Sequence, residues 1–140
     1  MLKAYKCHKE VLARPMTRGE YNEYRGWTIP EDEDPSDQGY LVEYPDSPTT
    51  GMPEGHTNYI SWSPKEQFDN GYFQLPEQEE LTGIMRYFAY KHLPEKLQKV
   101  SKPVGDLALL MNELPDGPEK SAGLRKLLEA KDCFVRAALG

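Results

Sequence analysis

Apolar residues change their spacing about halfway along this chain. In the first half they come in short alternating runs. "LKAYKCHKEVLA" puts Tyr5, Cys7, Lys9 and Val11 on one side of an extended backbone, which predicts a first strand. Thr17 stands three residues before Glu20, the spacing of a capping box, so a short helical turn is expected there. "TIPEDEDPSDQG" is a proline-rich acidic loop. "YLVEY" predicts a second strand ended by Pro45, and "YISW" a third after the loop "PDSPTTGMPEGHTN". "SPKEQF" repeats the helix start, with Ser63 as N-cap, Pro64 at the first helical position and Glu66 three residues after the cap. "NGYFQ" closes a small unit of three or four strands and two helical turns.

From Leu81 the spacing becomes helical. After an aromatic lead-in, Leu97, Val100, Val104, Leu107, Met111 and Leu114 recur every three or four residues and predict one apolar helix face. Pro103 interrupts it, which predicts a kink or a fresh start capped by Ser101. The stripe keeps its phase across the proline and favours the kink. "PDGP" turns the chain, and Asp116 and Glu119 repeat the capping-box spacing. The last helix carries Leu124, Leu127, Leu128, Phe134, Val135 and Ala138, a stripe broken only by Lys131. Two such helices joined by a short turn form an antiparallel αα-hairpin. The expected fold is therefore α+β, a small β-rich module over residues 1–79 followed by a helical hairpin over 80–140. The core this provides is thin, so leftover apolar surface predicts a homo-oligomer.

Charge sharpens the division. Residues 1–80 carry seven Lys/Arg against sixteen Asp/Glu, a balance of −9, and residues 81–140 carry ten against seven, a balance of +3. The net charge of −6 argues against a DNA- or RNA-polymer binder. No apolar run has the length of a membrane span, and "MLKAYKCHKEV" lacks the apolar segment of a signal peptide, so an intracellular protein with Cys7 and Cys133 reduced is expected. No catalytic or metal-binding constellation stands out. Cys7-His8 has no second ligand pair at zinc spacing. The run Glu31-Asp32-Glu33-Asp34 lacks the alternation and glycine of a calcium loop, which leaves a solvated acidic loop. No cofactor is implied. Trp62, and with it Trp27, suit a core.

Two sets of residues suit an anion. Lys120 and Ser121 fall in the first turn of the last helix, with Arg125 and Lys126 one turn on. The backbone N–H groups of a helix start favour anions, and an anion offsets the conflict between these cations and the helix dipole. Arg86, Tyr87, Phe88, Tyr90, Lys91 and His92 interleave rings with cations, a mixture suited to stacking on bases and meeting phosphates. Taken alone, each set favours a blander reading, a solvated face for the first and a hydrophobic lead-in under the hairpin for the second.

The block "YKHLPEKLQKVSKPVGDLALLMNELPDGPEKSAGLRKLLEAKDCFVRAAL" resembles the C-terminal helical hairpin of small phage proteins that defines the anti-CBASS and Thoeris anti-defence sponge families. The likeness lies in the lead-in Tyr90 to Pro94, the turn Leu114 to Ser121, and Leu124, Lys126, Leu127 and Ala130 of the second helix. Arg125 stands where the pattern often has threonine. The first half, through "KCHKEV", "PMTRGEY", "YRGW", "GYLVEY" and "SWSP", resembles a domain common in uncharacterised phage proteins. The resemblance implies a non-enzymatic sponge in the cytoplasm of an infected bacterial host. It would bind cyclic di- or trinucleotides, or a cyclic ADP-ribose isomer, and sequester them without cleavage. The anti-CBASS branch assembles as a hexamer with pockets between subunits, and the Thoeris branch adds a small N-terminal β-rich domain. On this reading Lys120, Ser121, Arg125 and Lys126 meet phosphates, while Tyr90 and His92, with Arg86 beside them, receive bases. The competing expectation is a phage accessory module that binds a protein through its aromatic-rich first half and takes no nucleotide.

Overall fold

The computed structural model describes residues 1–53 and 55–140. The chain divides into two compact units, Met1–Tyr72 and Phe73–Gly140. The fold is α+β, with a three-stranded antiparallel sheet in the first unit and a helical hairpin in the second. Among the described residues no helix is long and apolar enough to cross a membrane.

In the first unit, strand β1 (Leu12–Pro15) pairs with β2 (Gly39–Pro48), and β2 pairs with β3 (Asn58–Pro64). Helix α1 (Arg18–Arg25) begins at Thr17, whose Oγ1 accepts from the Glu20 N–H at 3.1 Å, and ends on Gly26 at φ 73°. That left-handed residue is where a glycine closes a helix with least strain. Alternation along β2 divides the core between two faces. Leu41 packs with Ile60 and Trp62 of β3 and Tyr21 of α1. Val42, on the other face, is buried too, and there Tyr40 stacks on Phe68 of α2 (Lys65–Gly71), which stacks on Tyr72.

The expectations for the first strand and for the start of α2 need correcting. The first strand is Leu12–Pro15; the rest of the run expected to form it, residues 2–11, has no regular secondary structure and is almost entirely exposed. A proline is tolerated at the end of an edge strand, and Pro15 lies opposite Tyr40 there. Ser63 does not cap α2. It stays in β3 opposite Tyr40, and Pro64 occupies the cap position with no side-chain hydrogen bond.

In the second unit a 3₁₀ turn (Gln78–Glu80) and a longer 3₁₀ segment (Gly83–Phe88) precede α3 (Glu95–Asn112) and α4 (Pro118–Leu139). Met85, Phe88, Ala108 and Leu124 form the buried centre, flanked by Val104, Leu109, Leu127 and Leu128. Helix α3 runs unbroken through Pro103, whose ring faces solvent, so Ser101 starts no new helix. The face that α3 buries is Ser101, Gly105 and Ala108. A Cβ on Gly105 would lie 2.9 Å from the Phe88 carbonyl oxygen and 3.1 Å from the Tyr90 ring, so the 3₁₀ segment rests directly on the helix backbone. The predicted stripe is split: Leu97, Val100 and Val104 are partly buried, Val104 against the core, whereas Leu107, Met111 and Leu114 are exposed. Lys131 explains the break in the α4 stripe: its ammonium donates to the Tyr87 carbonyl and ties the 3₁₀ segment to the hairpin.

Candidate functional site

Helix α4 starts at Gly117 without a side-chain cap, and Pro118 fills its first turn. Asp116, expected to cap it, instead accepts from Lys120 at 2.7 Å, a charge-assisted pair that holds the Asp116 carboxyl below its ordinary value. Lys120 Nζ also donates to the Leu114 carbonyl at 3.0 Å, and its side chain is only 13% exposed. Lys120 thus fastens the interhelical turn, and its charge is already committed within the protein. Asp116 and Lys120 are four residues apart, so this i,i+4 pairing was written in the sequence.

The other three cationic or polar candidates remain available. Ser121, Arg125 and Lys126 are exposed, and their side chains make no hydrogen bond or ion pair among the described residues. Ser121 and Arg125 are one turn apart on the same face. Lys126 projects about 100° further round the helix, so one helix does not aim all three at one small anion. The uncapped start leaves backbone N–H donors in the first turn, and these add to the field that Ser121 and Arg125 face.

The aromatic set is divided as well. Tyr90 is 2% exposed. Its hydroxyl donates to Asp106 Oδ1 at 3.2 Å, its N–H donates to Gln78 Oε1 at 2.8 Å, and its ring lies against Gly105. Lys102 pairs with Asp106 at 3.0 Å and sits 5.9 Å from the Tyr90 ring centre. The expected stacking residue is thus an interior pin between the lead-in and α3, with no free ring face. His92 is exposed in a turn that Gln98 holds by donating to the Lys91 and Leu93 carbonyls. Arg86 is exposed, donates from Nε to the Gly83 carbonyl at 3.3 Å, and lies 5.8 Å from the ring centre of exposed Tyr87. Arg86 and Tyr87 are the cation–aromatic combination that this segment does present to solvent.

The two tryptophans differ. Trp62 belongs to the core, its indole N–H donating to the Met16 carbonyl at 2.7 Å and its ring 4.4 Å beneath the Arg18 guanidinium. Trp27 is 52% exposed, a correction to the expected core role. Its ring stands edge-on to Tyr21 with the Arg25 guanidinium 4.3 Å from its centre. Part of the acidic loop is tied down rather than solvated, since Arg18 pairs with Glu33 at 3.2 Å and Asp37 at 3.6 Å. In the loop before β3, His56 Nδ1 is hydrogen-bonded to Oε1 of Glu43 on β2, which holds the Glu43 carboxyl below its ordinary value. Among the described residues no three His, Cys, Asp or Glu side chains gather as a metal site.

Sequence reasoning missed a cleft of about 540 Å³ in the second unit, floored by Leu81, Met85 and Leu109 and edged by Glu80 and Glu113. None of the residues expected to bind phosphate or base lines it. The available signal was Glu113, an acidic residue at the end of a helix whose last turn holds no basic one. No protein-family profile matches this chain, and comparison with curated proteins and with solved structures finds no significant match.

Proposed function

We propose that the protein is a non-enzymatic sponge that binds a cyclic nucleotide immune messenger and withholds it in the cytoplasm of an infected bacterial host. The observation that carries this reading is the start of α4: an uncapped 22-residue helix with Ser121, Arg125 and Lys126 exposed and unengaged within its first three turns. N–H donors and a guanidinium together suit a phosphate, which Arg can grip through two hydrogen bonds. The likeness of the hairpin sequence to the sponge families supplies the ligand class. Arg86 and Tyr87 offer the stacking and charge that a base and its phosphates need. Lys120 acts indirectly, by fixing the turn.

Because Ser121 and Arg125 point away from Lys126, a single copy makes an incomplete cradle. Homo-oligomers resolve this by bringing the α4 starts of several copies around one ligand. Phe134 and Leu139, left exposed on α4, supply apolar surface for such contacts. Incubation with cyclic di- and trinucleotides and a cyclic ADP-ribose isomer, followed by heat denaturation, tests the reading. Intact ligand returned from the denatured protein supports a sponge, and a cleaved product makes it an enzyme.

A further inference from the structure

The C-terminal half of α3 shows solvent a run of large apolar side chains. Leu107, Leu110, Met111 and Leu114 are 45%, 41%, 39% and 51% exposed. Residues three or four apart adjoin on a helix, so Leu107, Leu110 and Met111 form one strip on α3, and Leu114 follows in the turn just after it. Leu110 also belongs to the wall of the cleft floored by Leu81, Met85 and Leu109, which makes strip and cleft one surface.

The charge lining the cleft has one sign, and Lys120 beside Leu114 is already paired with Asp116. Glu80 and Glu113 are the charged residues lining the cleft, and neither forms an ion pair among the described residues. Glu113 is the C-cap of an 18-residue helix whose last turn holds no basic residue. The partial negative charge of the helix end and the carboxylate therefore reinforce each other, an arrangement that a cation relieves. The surface asks for apolar anchors beside positive charge.

Size and symmetry narrow the occupant. A small amine would fill the cleft and leave Leu107 and Leu114 in water. A second copy meeting this same face through a two-fold axis would bring Glu80 and Glu113 of both copies into one interface, and like charges oppose such a contact. A helix laid along α3 meets the whole strip, with apolar residues every three or four positions on Leu107 to Leu114 and Lys or Arg reaching Glu80 and Glu113. We infer that this face of the second unit is a docking site for a basic amphipathic helix of a different protein. The inference is independent of the nucleotide reading, which uses α4.

Two synthetic helical peptides of about 14 residues, or four turns, test it. Both carry the same leucine face; one has lysines along its flanks and the other glutamates. Fluorescence anisotropy with the full chain should give binding of the lysine peptide and at least about ten-fold weaker binding of its glutamate twin. Glu80→Lys combined with Glu113→Lys should reverse that preference, and Leu110→Asp should abolish binding of both with the helical melting curve unchanged. Equal affinity for the two peptides, or none for the lysine peptide, overturns the inference. So does a fall in solution mass on Leu107→Asp with Leu114→Asp, which would make the strip a contact between copies.

Discussion

The two units solve the same problem with opposite materials. The first buries large side chains, Tyr21, Leu41 and Ile60, between one sheet face and a helix. The second presses a 3₁₀ segment onto the smallest residues of α3, Ser101, Gly105 and Ala108, and leaves several of that helix's largest residues in water. A small-residue face allows backbone to approach backbone, and Gly105 under the Phe88 carbonyl is such an approach. In the second unit, apolar periodicity therefore marks surface open to a partner as much as it marks the core.

Substitutions can break this contrast, and the two tryptophans help, since Trp27 and Trp62 both report on the first unit. The largest effect expected is from Phe88→Ala, which empties the centre of the second core and costs about 4 kcal/mol, read as a lower midpoint of the helical circular dichroism transition. Gly105→Val comes next. Its branched side chain must displace a carbonyl and the Tyr90 ring, for a loss of about 3 kcal/mol in the same transition. Tolerance of valine there would mean that α3 and the 3₁₀ segment do not meet closely.

Ser101→Ala should act in the other direction. The Ser101 hydroxyl is buried without a hydrogen-bond partner among the described residues. Removing it should raise stability by about 1 kcal/mol. The smallest effect belongs to the first unit and to pH. His56 holds the Glu43 carboxyl below its ordinary value of 4.5, so this pair contributes stability above that pH and loses it as pH falls through the lowered value. In Glu43→Gln the acid-side decline of the tryptophan transition should be shallower than in the parent.

Much of the fold was legible in the sequence. The capped start at Thr17, the paired strands around "YLVEY" and "YISW", and the Leu124, Leu127 and Leu128 part of the α4 stripe follow from local patterns that tertiary structure kept, whereas Phe134 of that stripe is exposed. What was hidden depended on partners distant in sequence. Residues 5–11 alternate as a strand should, but the free edge of β2 is taken by Leu12–Pro15, which leads directly into α1. Tyr90 looked like a stacking face because nothing nearby announces that Gln78 and Asp106 hold it inside. Lys120 was the readable miss, since Asp116 stands one turn before it. Ser121, Arg125 and Lys126 are each exposed on α4, as the sequence pattern expects of a solvated stretch.

The central claim is that the start of α4 binds a nucleotide phosphate. Calorimetric titration of cyclic di- and trinucleotides and a cyclic ADP-ribose isomer into the parent chain and into Arg125→Ala tests it most directly. We expect saturable binding of at least one of them by the parent, and a loss of at least about ten-fold in affinity in Arg125→Ala with an unchanged melting curve. No binding across the panel, or equal binding by the two proteins, would contradict it.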